Sequence, residues 1–306
     1  MANMYDIVIV GGGPGGYSAA LYAARAGLHA VVLEKRVIGG QAVQSENIEN
    51  YPGFDAGIDG LSLSEKMQRG AERFGAEMVT DEVRRVQLMQ PVKVVETTKQ
   101  TYQAPAVILA TGARHRRLGL DREESFIGNG ISFCAVCDGA FYSGRTVAVI
   151  GGGNSALQEA LLLSDLASHV YVVQNLDFLT GEPALQDQLR ARENVTVLTG
   201  RVVSELLGGE ELTGIRIRKV DDGQIEELAL DGLFIAIGLV PQNQIFAETV
   251  PLDAGGYIDA DEHCTANKRG VFVAGDCRRK QIRQVTTAAA DGAVAALAAC
   301  EYLKKA

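Results

Sequence analysis

One glycine turn occurs twice in this chain, at Gly11-Gly12-Gly13-Pro14-Gly15-Gly16 and at Gly151-Gly152-Gly153-Asn154-Ser155-Ala156, each time between a buried strand and a helix. In the first copy, residues 5–10 read as a buried parallel strand and 17–26 as an alanine-rich helix. Residues 30–33 read as a second strand, ending at Glu34. Gly11 permits the tight turn, Gly13 lets a phosphate approach the backbone, and Gly16 lets helix pack on strand. Pro14 lies within the turn as a candidate cofactor contact, the N-terminal amides of the following helix suit a pyrophosphate, and Glu34 suits ribose hydroxyls. The second copy places a strand at 145–150, a helix from Asn154 and Ser155 to about 166, and a strand at 170–173. Ala156 fills the third small-residue position. Where an acid is expected after that strand, Gln174 and Asn175 stand instead. Either can bond a ribose, and neither is a cation for a 2′-phosphate. The second copy is therefore either a nucleotide site or a Rossmann-like scaffold without one. The separation of the copies in 306 residues predicts an α/β chain of two Rossmann-like three-layer domains.

The segments between the turns repeat as well. Residues 81–103 read as a small antiparallel excursion before a buried strand over 106–110, followed by Thr111-Gly112. Short strands around 195–206 and 212–219 precede a buried strand over 232–237. Repetition on this scale points to a duplicated domain plan. Another buried strand, 271–274, ends in Gly275-Asp276, and a helix over 284–303 closes the fold. Ligand groups belong at the C-terminal ends of such strands, which singles out Ala110, Thr111, Gly112, Gly275 and Asp276. Asp276 is either a ligand for a ribityl or phosphate-side hydroxyl or a turn aspartate.

The formal net charge of −9 lacks the basic footprint of a nucleic-acid binder. No apolar run reaches about 20 residues, so no membrane span is expected. The opening residues lack a basic leader and a cleavage site, which points to the cytoplasm. Five cysteines are too few for a secreted disulfide scaffold, and in a reducing compartment a disulfide is more often catalytic than structural. Cys134-Ala135-Val136-Cys137 is the only CxxC. With four histidines in the chain and no second cysteine pair, a zinc site is disfavoured and no metal is expected. Redox chemistry is preferred over metal binding or two inert core thiols. Two intervening residues bring the sulfurs within disulfide reach on a turn opening a helix, whose amides lower a thiol pKa. Asp138 is either the proton carrier during exchange or a cap. A flavin is the natural partner, because it passes two electrons to a disulfide.

The chain resembles the low-molecular-weight thioredoxin reductases over essentially its whole length. The shared pieces are GGGPGG at 11–16, GGQ at 39–41, NYPGF at 50–54, ATG at 110–112, CAVCDGAFY at 134–142, GGGNSALQEA at 151–160, IGLVPQ at 237–242 and GDCRRKQIRQVTTAAADG at 275–292. The resemblance implies a discontinuous FAD domain from 1–116 and 246–306, around a central domain, 117–245, that carries the cysteines and the second nucleotide fold. It implies non-covalent FAD, a homodimer, and a thioredoxin-like protein as substrate. Gly39, Gly40, Gln41 and Asn50 would lie near the flavin, and Arg283, Gln284 and Val285 around its ring or ribityl chain. Cys137 would face the flavin, Cys134 would attack the substrate disulfide, and Asp138 would handle protons. The central domain would rotate, with hinges near 114–120 and 240–247.

One departure concerns the electron donor. NADPH-using members carry a His-Arg-Arg run and a further Arg after the second fold's next strand; here the matching positions are Gln174, Asn175, Leu176 and Thr180. Losing those cations predicts a weak preference for the 2′-phosphate. Ferredoxin is then the first expectation, as in relatives with an eroded nucleotide signature, NADH the second, and NADPH the last. The intact glycine turn counts against the first. A peroxide-reducing flavoprotein component and a non-catalytic flavin redox sensor are the rival readings. Cys264, Cys277 and Cys300 read as buried or incidental thiols.

Overall fold

The computed structural model describes residues 3–35, 38–45 and 47–305, leaving aside the side chain of Gln44. The chain forms two compact units, Met1–Arg114 with Val240–Ala306, and His115–Leu239.

In the first unit a parallel five-stranded sheet runs in the order Val271–Val273, Ala106–Leu109, Ile7–Val10, Ala30–Glu34, Glu77–Thr80. The strands Val271–Val273, Ala106–Leu109 and Ile7–Val10 are apolar and buried at every position because both faces are covered, whereas the edge strand Glu77–Thr80 is partly exposed. Ile7 and Ile9 pack toward the helices Pro14–Arg25, Gly60–Glu72 and Val285–Lys305. Val8 and Val10 pack the other way, with Val86, Val95 and Tyr102 of the antiparallel strands Val83–Gln87, Lys93–Thr97 and Thr101–Ala104. That alternation is the period-two geometry of a strand. Ile7–Val10 is shorter than predicted. The Tyr5 N–H bonds to the Gln103 carbonyl, so the chain passes from the antiparallel layer into the parallel sheet at this point. The first helix starts at Pro14, three residues before the prediction, because proline has no N–H to lose in a first turn. It packs closely on the last helix, where the Ser18 hydroxyl donates to the Ala289 carbonyl at 2.6 Å.

The second unit repeats the plan. Its parallel sheet runs Ile131–Ser132, Gly232–Ile235, Thr146–Ile150, His169–Val173, Val195–Leu198. Val147 and Val149 pack with Ala156, Leu157 and Ala160 of the helix Asn154–Ser164. Ala148 and Ile150 pack with an antiparallel meander, Arg201–Gly208, Leu212–Lys219 and Ile225–Ala229. The predicted stretch 195–206 is two strands in two sheets, separated at Thr199-Gly200, where Gly200 takes a φ of 64°. Both units are thus Rossmann-like and three-layered, as the paired glycine turns predicted. Among the described residues no helix is long and apolar enough to cross a membrane.

Candidate active site

The strand Ile131–Ser132 delivers the chain directly to the cysteines. Cys134 and Cys137 form a disulfide, with Cα atoms 5.3 Å apart. Cys134 has extended backbone and caps the one-turn helix Ala135–Asp138. The Cys137 N–H points at Cys134 Sγ, 3.2 Å away. Asp138 makes no side-chain capping bond to the turn that follows it. Its Oδ2 instead accepts the Ser132 hydroxyl at 2.5 Å, and Ser132 Oγ accepts the Cys134 N–H at 3.1 Å. Ser132 was not singled out in the sequence, where one serine before a CxxC carries no signal of its own.

A ring cluster flanks the same turn. Phe133 stacks on His115 at 4.8 Å, and the Arg117 guanidinium lies 4.5 Å over the Phe133 ring. Burial, and then the Arg117 cation, push the His115 pKa down to about 4, so the stacked imidazole is neutral at pH 7. Val136, between the cysteines, and Phe141, just after them, are exposed.

In the first unit, the Gly12 N–H donates to Glu34 Oε2 at 2.8 Å and the Gly39 N–H donates to the Gly12 carbonyl at 2.8 Å. These two bonds bring the glycine turn, Glu34 and the Gly39-Gly40-Gln41 segment together. The Gln41 amide donates to the Ala113 carbonyl, and the Asn50 amide donates to Gln284 Oε1 at 3.3 Å, which joins Asn50 to the residue before the helix Val285–Lys305. Thr111 Oγ1 bonds to Asn243 Oδ1 at 3.2 Å. Asn243 is fully buried and also donates to the Cys277 and Gly256 carbonyls; sequence reasoning missed it. Ala110 is buried at its strand's end, and Gly112 takes a φ of 68°. Two observations fit this unit to FAD. Above Gly13 the nearest heavy atom of the described residues to a hypothetical Cβ is the Gly39 carbonyl oxygen, at 4.0 Å, which leaves room for a phosphate. Asp276 Oδ1 and Arg283 Nε are buried without hydrogen-bond partners among the described residues, although each is the kind of group that holds a hydroxyl or a ring nitrogen. Burial drives the Asp276 pKa upward, with Lys280 and Arg283 opposing. Gly275 sits at a φ of 77° and its N–H donates to Asp291.

In the second unit, Gly151 takes a φ of 132°, and Gly153 leaves space bounded by Thr180 Oγ1. Gln174 is buried and folded back: its Oε1 accepts from the Asn175 N–H at 3.2 Å and its amide approaches the Phe178 carbonyl at 3.5 Å. The Thr180 and Gly181 amides both donate to the Gly152 carbonyl at 2.8 Å. The structure therefore brings Gln174 and Thr180 to the glycine turn, while Asn175 is exposed. Ala156 is fully buried, Ser155 is exposed, and Asn154 bonds through its side chain to Glu182. No Lys, Arg or His occurs in 174–180.

The helix of this turn also carries Glu159, whose Oε2 is buried with no hydrogen-bond partner among the described residues. Burial pushes its pKa up to about 7. The unfolded carboxyl ionises near its ordinary value of 4.5, so stability is lost as pH rises from about 4.5 through 7. Glu159→Gln is expected to stabilise the protein at pH 8 by about 1–2 kcal/mol and to make no difference at pH 4. Urea unfolding of the two proteins at both pH values checks this.

A disulfide closed beside a carboxylate, in a chain of two Rossmann-like units, defines a disulfide oxidoreductase. The chain belongs to the pyridine nucleotide-disulphide oxidoreductase family, whose profile matches residues 5–292. Within that family it is of the low-molecular-weight thioredoxin reductase class, an FAD-dependent thioredoxin-disulfide reductase. It is 42% identical to thioredoxin reductase of Listeria innocua over 99% of this chain and 95% of that protein. The crystal structure of thioredoxin reductase from Streptococcus pyogenes matches with a TM-score of 0.94 at 38% identity, covering all of both chains. A ferredoxin-flavin thioredoxin reductase from Clostridium acetobutylicum matches with a TM-score of 0.55 at 29% identity, again over the whole of both chains.

Proposed function

We propose that this chain reduces a thioredoxin through Cys134 and Cys137, with electrons that enter from a nicotinamide dinucleotide. The observation that carries the reading is the Cys134–Cys137 disulfide, closed beside Asp138 in a unit built on a complete second glycine turn. FAD, held by Gly11, Gly13, Pro14, Gly16, Glu34, Asp276 and the 39–41 and 283–285 segments of the other unit, supplies a two-electron relay when bound. Once the pair is a dithiol, the Cys137 amide is placed to stabilise a thiolate on Cys134. Cys134 attacks one sulfur of the thioredoxin disulfide and the other leaves as a thiolate, giving a mixed disulfide. Cys137 then attacks Cys134 Sγ, which restores the internal disulfide and releases dithiol thioredoxin. The first leaving sulfur takes the proton that Cys134 gave up on ionising and the second takes the Cys137 proton, with Asp138 as carrier, so two electrons and two protons reach the substrate. The resemblance supports a homodimer, and the buried free thiols Cys264, Cys277 and Cys300 suit a reducing cytoplasm.

Ferredoxin, the first expectation from the sequence, finds no support among the closer relatives, and the ferredoxin-dependent enzyme is the more distant match. The glycine turn is complete, and the family takes its name from a pyridine nucleotide. The missing cations bear on which nucleotide. Charged hydrogen bonds contribute about 1.5–3 kcal/mol each, so two or three would favour NADPH by about a hundredfold or more. With none in 174–180, kcat/KM for NADPH and NADH is expected to agree within about tenfold. Anaerobic flavin bleaching by NADPH, NADH and reduced ferredoxin, with thioredoxin present, decides the point. Reduced ferredoxin outpacing both nucleotides by a decade would refute nucleotide entry.

A further inference from the structure

We infer that Ser132 is a positioning residue for disulfide exchange, its hydroxyl tying the Asp138 carboxylate to the main chain of Cys134. The inference rests on the roles proposed above for Cys134 and Asp138.

A serine hydroxyl has one proton to give and lone pairs to accept. Ser132 uses both within the redox turn. It donates to Asp138 Oδ2 at 2.5 Å and accepts from the Cys134 N–H at 3.1 Å. The Asp138 N–H returns to the Cys134 carbonyl at 3.0 Å, which closes a ring from strand end to acid and back. The hydroxyl is well anchored. Ser132 is 5% exposed, and its strand is held in parallel register against Gly232–Ile235, with Ser132 opposite Phe234. Water has little access to replace the hydroxyl, and a hydrogen bond to an ionised carboxylate is about twice as strong as a neutral one.

The composition of this ring gives it a purpose. No sulfur atom takes part in the Ser132 bonds, so opening the Cys134–Cys137 disulfide leaves them in place. The proton-carrying group therefore keeps one distance to the Cys134 backbone in both the disulfide and the dithiol. Proton transfer falls off steeply once donor and acceptor leave hydrogen-bond reach, so a carboxylate free to rotate would lose rate in the exchange steps alone.

The test compares Ser132→Ala, Ser132→Thr, Asp138→Asn and the Ser132→Ala/Asp138→Asn double variant. Ser132→Ala is expected to lower kcat/KM for thioredoxin about 10- to 100-fold, with FAD content and the rate of flavin reduction unchanged. The acid limb of its pH profile is expected to move up by about 0.5–1 pH unit, because a hydroxyl donor to the ionised carboxylate has gone. Ser132→Thr, which keeps the hydroxyl, is expected to restore activity to within about threefold of wild type. In the Asp138→Asn background the serine change is expected to cost less than about threefold. A wild-type pH profile for Ser132→Ala, or an undiminished loss in the Asp138→Asn background, overturns the inference. Full activity of Asp138→Asn alone would instead sink the reading of Asp138, and the inference with it.

Discussion

Cys134→Ser and Cys137→Ser should each bring thioredoxin reduction to background, a loss of at least about 10⁴-fold, with FAD still bound. A serine hydroxyl cannot form the internal disulfide, and at neutral pH it is a far weaker nucleophile than a thiolate. The residues proposed to hold FAD belong to the other unit of the chain, so cofactor content should not change. The two variants should fail differently. Cys137→Ser leaves Cys134 able to attack, with nothing to resolve the product, and should trap a mixed disulfide with thioredoxin on a non-reducing gel. Cys134→Ser should trap none. The opposite pattern would exchange the two roles. No other thiol can substitute. Cys264 and Cys277 are buried, and burial pushes their pKa values up to about 11; Cys300 is buried and shifted the same way. At pH 7 thiolate, the reactive form, is scarce at these positions. Turnover above a few per cent in either variant would remove the cysteine pair from the mechanism.

The nucleotide folds were legible because their physics is local. A strand, a glycine that must reach a φ near +112° or +132°, and a helix within a few residues leave few alternatives. The strand alternation that divides Ile7 and Ile9 from Val8 and Val10 was not legible, since all four are apolar and only the layers on each face tell them apart. Asn243 was invisible for another reason. It is an ordinary loop residue in sequence, and its importance lies in bonds to Thr111, Gly256 and Cys277 that the fold alone creates. The cluster of His115, Phe133 and Arg117 likewise joins residues with no common pattern. At the second turn, the sequence showed which cations are missing. It could not show that Gln174 turns inward to its own backbone, so that the position offers no outstretched replacement.

Gly16→Ala should abolish FAD binding and destabilise the protein, whereas Gly13→Ala should leave the apoprotein as stable as wild type and weaken FAD alone. The two glycines are three residues apart in one turn and serve different ends. A Cβ on Gly16 would overlap the carbonyl oxygen of Gly11, a backbone atom that cannot swing aside. The backbone at Gly16 is not left-handed, so the obstacle is space rather than conformation. Overpacking of this kind costs about 1–3 kcal/mol or more, and here it would also displace the turn meant to cradle the pyrophosphate. Among the described residues a Cβ on Gly13 meets only the Gly39 carbonyl oxygen, at an ordinary 4.0 Å, so the protein itself tolerates alanine. The methyl would stand where a phosphate must approach, lengthening hydrogen bonds worth about 1.5–3 kcal/mol each and raising the FAD dissociation constant by ten- to more than a hundredfold. Flavin absorbance after purification, FAD titration of the apoprotein and urea unfolding of both variants separate the two effects. If Gly13→Ala bound FAD with wild-type affinity, the turn at 11–16 would not be where the pyrophosphate lies.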